Sequence, residues 1–277
     1  MAYRDKIQQR WNIEDRRGRK SVIWGGLWLA GVVLVLAVWY FAWPEQAMQL
    51  RDGLQQTQIV QESDGNTIVD PAFSGEDSYE LFVSKIVWST NSLWKSEFKK
   101  MGKGYLEPKL VLFRGATQSA CGWAVSQVWP HYCPIDKTIY IDETFFTILE
   151  QKFGAQWWDL AQAYVVAHEV WHHVQQQLWI TNEVQRWDNQ ASVQLELQAD
   201  CLAGIWIGVI NEDWVLEEND LYEAIDAAEA VGDDSIQQKT QWSVNPETRT
   251  HGSSEQRKKW LYKGYTEKNF DACNTGI

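Results

Sequence analysis

The pentapeptide His168-Glu169-Val170-Trp171-His172, inside the run Y-V-V-A-H-E-V-W-H-H-V-Q-Q-Q (164–177), most constrains the fold of this chain. Residues four apart on a helix lie on one face, one turn apart, so in helical form both imidazoles reach a single ion. Glu169, beside the first of them, is then placed to take a proton from a metal-activated water. A polar helix face with spare histidines is the bland alternative, and a second element counts against it. E-L-Q-A-D (196–200) follows in an apolar helical context, with Glu196 and Asp200 again four apart. A zinc hydrolase uses three protein ligands and keeps one position open for water. Glu196 supplies the third ligand in this reading, and Asp200 accepts a hydrogen bond that orients a ligand imidazole. A His-His-Glu set favours Zn²⁺ over other divalent ions.

Upstream, residues 1–20 are polar and charged, with Arg16, Arg17, Arg19 and Lys20 clustered at the end. Residues 21–43 carry no charge and are long enough to span a bilayer. Positive charge before the span puts the N-terminus inside and the remainder outside. A cleaved signal peptide fits less well, because its apolar core is normally shorter and no small-x-small site follows. Residues 44–77 read as a linker. The expected order is therefore a cytoplasmic basic tail (1–20), a transmembrane helix (21–43), a linker (44–77) and a domain (78–277).

Within that domain, spacing predicts an amphipathic helix from Ser78 that ends near Gly102 and Gly104. K-L-V-L-F (109–113) and T-I-Y-I (138–141) read as strands, separated by a loop that holds Cys121 and Cys133. Asp142 caps a helix expected from Glu143 to Phe153. Further helices are expected over 156–178, from Asn189 to about Ile210, over 220–230 (closed by V-G-D-D), and from T-H-G-S-S-E-Q-R (250–257) through Trp260. Strands followed by helices indicate an α+β fold, a small sheet packed on the metal helix.

A net charge of −12 argues against nucleic-acid binding. The four cysteines (121, 133, 201, 273) form no C-x-x-C, which removes a zinc ribbon or a metal-binding redox module. They allow three disulfide connectivities or four buried thiols. Outside the cytosol the preferred pairs are Cys121–Cys133 and Cys201–Cys273.

E-D-R-R-G (14–18), the apolar span, K-L-V-L-F, A-C-G, Y-C-P-x-D, I-Y-I-D, A-Y-V-V-A-H-E-V-x-H-H-V-Q, E-L-Q-A-D-C-x-A-G and H-G-S-S-E-Q-R occur in that order along nearly the whole chain. In this the chain resembles the neutral zinc metallopeptidase family of bacterial membrane-anchored proteins. The resemblance implies a zincin-like fold, one catalytic zinc and hydrolysis of peptide or protein substrates at the outer side of the cell membrane. It also implies that His251 and Arg257 help hold substrate and the developing oxyanion, while His173 and His131 are structural. Substrate is expected to lie extended along the Thr138–Asp142 strand.

The chain departs from the family pattern where Gly is expected. Trp stands at 129, 171 and 179, and likewise at 88 and 242, and Trp (18) is as frequent as Gly (18). Trp171, inside the metal motif, flanks the ligand face by roughly 60° from His168. Bulky residues at these sites predict strain and reduced turnover. They keep a second reading in view, an envelope scaffold that uses its metal for stability.

Overall fold

The computed structural model describes residues 13–17, 78–125, 130–146, 159–178, 189–212, 219–241 and 250–277, with a few isolated positions between. The span at 21–43, the linker at 44–77, most of the helix expected after Asp142, and Trp129, Trp179 and Trp242 lie outside the described residues.

Alternation of apolar side chains builds the sheet. In β2 (Lys109–Phe113) and β6 (Thr138–Asp142), Leu110, Leu112, Ile139 and Ile141 enter the main helical core. Val111, Phe113 and Tyr140 face the other way, toward Ala124 and Cys133. Strand order is β1-β2-β6-β5, with β1 (Ile13–Asp15) parallel to β2, β2 parallel to β6, and β5 (His131–Cys133) antiparallel to β6. A separate hairpin, β3 (Ala116–Ser119) with β4 (Gly122–Val125), fills the stretch expected to be loop. Short strands leave little periodic signal, which is why β1, β3, β4 and β5 are not foreseen from the sequence.

The presence of β1 moves a domain boundary. Ile13–Arg17 belong to the same compact unit as the C-terminal domain and are not a separate tail. Arg17 is buried, its guanidinium donating to Asp15 (3.0 and 2.7 Å) and to Glu143 (2.8 Å).

Helix α2 (Asp159–Gln177) packs against β5, α1 (Ser78–Lys100) packs on α2, and α3 (Asn189–Glu212), α4 (Asp220–Ala230), α5 (Asp233–Gln241) and α6 (Ser254–Glu267) complete the helical part. The helix α5, which begins within V-G-D-D, was not foreseen, and α6 runs on past Trp260. At the start of the helix expected after β6, Asp142 accepts from the Thr144 amide at 2.9 Å, an N-cap contact. Helix α3 is long and apolar enough to cross a membrane, but it is mostly buried within the domain. Close approach of α3 to α6 depends on two glycines. A Cβ on Gly264 would stand 1.8 Å from the Cys201 carbonyl oxygen, and one on Gly204 would stand 2.0 Å from that of Leu261. The C-terminus is tied to α3 by Cys201–Cys273, and Cys121–Cys133 joins the hairpin to β5.

Trp171 is fully buried in the core. Its ring lies edge-on to Trp94 with centroids 4.1 Å apart, and 6.3 Å from Phe270. The indole N–H groups of Trp94 and Trp171 have no hydrogen-bond partner among the described residues.

Candidate metal centre

Helix α2 delivers His168 and His172 from consecutive turns, and α3 delivers Glu196 against them. The three donor sets converge: His168 Nε2 to His172 Nε2 is 3.1 Å, His168 Nε2 to Glu196 Oε2 is 3.1 Å, and His172 Nε2 to Glu196 Oε1 is 3.4 Å. Neighbouring ligands of a tetrahedral zinc with bonds of roughly 2.0–2.1 Å are about 3.3 Å apart, so this donor triangle fits that ion. Glu169 lies in the same cluster, its carboxylate within 4.8 Å of both imidazoles.

The outward nitrogens explain why these lone pairs face inward. His168 Nδ1–H donates to Asp200 Oδ1 at 2.9 Å, and His172 Nδ1–H donates to Gln175 Oε1 at 2.9 Å. Gln175 is oriented in turn, its amide donating to the Leu195 carbonyl (2.8 Å) and to Gln198 (3.0 Å). Both imidazoles are thereby oriented with Nε2 toward the centre of the donor triangle, where loss of its proton would let each ligate.

Charge is balanced around this core. Burial alone would raise the Asp200 carboxyl, but Arg257 beside it outweighs burial and keeps it below the ordinary carboxylate range. Burial pulls His168 down, yet its hydrogen bonds to Asp200 and Glu196 win and carry it to about 9. His172 is lowered by burial. Glu196 is likewise held low: burial opposes this, and the two histidines overcome it. The cluster is built to hold positive charge between three donors. Glu169 is pushed up to about 8, chiefly by burial, and accepts a hydrogen bond from the Tyr132 amide.

Two further residues expected at the site are placed differently from one another. Arg257 is buried: Nε and Nη2 both donate to Asp200 at 2.8 Å, and Nη2 also reaches Tyr164 Oη at 3.1 Å. It lies behind the His168 ring, 3.5 Å from Nδ1, and 4.0 Å from Glu196 Oε2, so among the described residues its contacts are with the metal cluster. His251 is half-exposed on the loop before α6. Asp233 Oδ2 accepts the amides of Thr250 (2.8 Å), His251 (2.7 Å) and Gly252 (3.1 Å), and Asp233 Oδ1 lies 3.2 Å from His251 Nδ1. Gly252, at φ +90°, lets the loop turn through this bond pattern.

The strand expected to seat substrate is corrected. β6 is paired on both sides and wholly buried, whereas β5 is an edge strand among the described residues and its Tyr132 amide contacts Glu169. His173, turned about 100° from His172, bridges the Leu106 carbonyl (2.6 Å) and Tyr132 Oη (2.9 Å), and His131 stacks on Tyr140.

Sequence reasoning missed Tyr164, Gln175 and Asp233. Tyr164 donates to Asp200 Oδ1 at 2.6 Å and lies one turn before His168 on the same face, a signal available from spacing. Gln175 stands three residues after His172, hidden in a glutamine run. Asp233 had no local signal, since its partners lie 17 to 19 residues away.

A family model described as Putative neutral zinc metallopeptidase matches residues 1–276. The chain is 40% identical over 279 residues to Uncharacterized protein YpfJ of Escherichia coli (strain K12), covering 95% of each. It is 40% identical over 215 residues to Uncharacterized protein Rv2575 of Mycobacterium tuberculosis (strain ATCC 25618 / H37Rv), covering 73% of each. No solved structure matches.

Proposed function

The chain belongs to the neutral zinc metallopeptidase family, and from that premise we propose that it is a zinc-dependent endopeptidase with a zincin-like domain. The carrying observation is the donor triangle of His168, His172 and Glu196, with edges of 3.1, 3.1 and 3.4 Å and its outward nitrogens already engaged. These three residues would hold the ion. Bound zinc supplies Lewis acidity toward a scissile carbonyl and lowers the pKa of water at its open position.

The remaining steps belong to the chain. Glu169, fixed by the Tyr132 amide, takes the proton from the attacking water at its carboxylate and passes it to the leaving amine nitrogen. His251, half-exposed on a loop fastened by Asp233, donates to the oxyanion as negative charge develops there. An extended peptide lies along β5, next to Glu169. Both disulfides suit an oxidising compartment, so the domain works outside the cytosol. Trp171, one of the residues behind the scaffold reading, packs in the core against Trp94.

The test is metal content and peptide hydrolysis of the purified chain beside three variants. About one zinc per wild-type chain, lost in His168→Ala and Glu196→Ala, is expected. Glu169→Gln should retain zinc and lose activity by about a hundred- to ten-thousand-fold. Full activity in Glu169→Gln would sink the assignment.

A further inference from the structure

The sharpest unabsorbed feature is the place of E-D-R-R, four residues before an uncharged stretch long enough to span a bilayer. Ile13, Glu14 and Asp15 pair in register with Leu110, Val111 and Leu112, and the Arg16 amide continues the ladder to the Leu112 carbonyl at 2.7 Å. Arg17 is sealed between Asp15 and Glu143 with 1% of its side chain exposed. Arg16 binds Thr117 (3.0 Å), the Gln118 carbonyl (3.1 Å) and Glu14 (2.8 Å). These contacts reach β2, β3 and the end of β6, so the arm is an integral edge of the domain.

Geometry then limits the route of the chain. By sequence, the uncharged stretch 21–43 begins four positions after Arg17 and has 23 residues, the number that one helical crossing takes and too few for two. Residues 44–77 contain Glu45, Arg51, Asp52, Glu62, Asp64, Asp70, Glu76 and Asp77, which leaves no second uncharged stretch of spanning length. One crossing would put Arg17 and Glu143 on opposite sides of the bilayer, although they are 2.8 Å apart. The basic cluster read as an inside signal is also diminished, because Arg16 and Arg17 are engaged by Glu14, Asp15 and Glu143.

We propose that the N-terminal arm, Ile13–Arg17, and the domain occupy one and the same extracytoplasmic side. The disulfides select the side. Residence of the arm is independent of whether the chain cleaves peptides.

The test labels the full chain in spheroplasts with a membrane-impermeant maleimide, using Ala2→Cys and the exposed Lys100→Cys as separate reporters. The four native cysteines are in disulfides. Labelling of both reporters before lysis is expected. Labelling of residue 100 before lysis and of residue 2 only after it would overturn the proposal. Labelling of both only after lysis would overturn the extracytoplasmic assignment. Arg17→Ala is a second readout on the purified full chain. A melting temperature lower by several degrees is expected, and an unchanged one would mean the arm is not seated.

Discussion

Arg257 grips Asp200 with two parallel bonds of 2.8 Å, from Nε and Nη2, and Asp200 in turn receives the Nδ1–H of His168 at 2.9 Å. A guanidinium thus acts on the metal ligand through one carboxylate. Without it, Asp200 would be a buried anion held only by Tyr164 and His168.

Arg257→Ala should therefore weaken zinc binding by about 10- to 100-fold, as loss of outer-shell partners does. It should also lower stability by roughly 3–5 kcal/mol, because a buried charge loses its partner. Chelator competition and thermal melts of the zinc-loaded and zinc-free protein check both effects. Unchanged zinc affinity with a selective loss of turnover would instead return Arg257 to the substrate side.

Gln175→Leu removes the acceptor for His172 Nδ1–H and the donors to Leu195 and Gln198. Zinc affinity should fall by about tenfold or more, with Glu169 left in place. Gln176→Leu provides the contrast. Gln176 bonds to Tyr132 and to the Pro134 carbonyl, not to a candidate ligand, and its loss should leave zinc affinity unchanged. Equal zinc affinities for both variants would remove Gln175 from the centre.

What the sequence could reveal followed the range of each interaction. His168, Glu169, His172, Glu196 and Asp200 stand on helices, where a spacing of four fixes a shared face, so their grouping was legible. Which side of an imidazole each partner occupies has no periodic signature, so the bond between Arg257 and Asp200 was not legible from spacing. The strand β1 was illegible for a related reason. It has three residues in a charged segment, and its stabilising partners stand about a hundred residues away, as with Arg16 and Thr117.

His251 and Asp233 give a pH signature. The hydrogen bond to Asp233 raises His251 above its ordinary value, while Asp233 is lowered, burial opposing and His251 prevailing. A raised histidine contributes stability fully below about 6.5, and that contribution is lost as pH rises through the folded value. A lowered aspartate contributes above about 3.9, and that contribution is lost as pH falls through the folded value. The stability gap between wild type and Asp233→Asn should therefore be widest near pH 5–6 and narrow above neutrality. Part of the gap persists there, because the three amides still need their acceptor. A gap that stays flat from pH 5 to 9 in thermal melts would show that the two groups do not interact.

Trp171 tests whether tryptophan at an expected glycine site harms this fold. Its ring fills the core against Trp94 and Phe270, at centroid distances of 4.1 and 6.3 Å. Truncating a buried Trp costs about 3–5 kcal/mol, and glycine within a helix adds about 1 kcal/mol. Against that, the buried N–H groups of Trp94 and Trp171, without partners among the described residues, and the short 4.1 Å contact oppose the packing. Cavity formation is the larger effect, so Trp171→Gly should lower the melting temperature by roughly 8–16 °C for a domain of this size. Zinc stoichiometry should survive below the transition, because no candidate ligand rests on the indole. A Trp171→Gly chain as stable as the wild type would mean that strain between the two indoles cancels the burial gained from them.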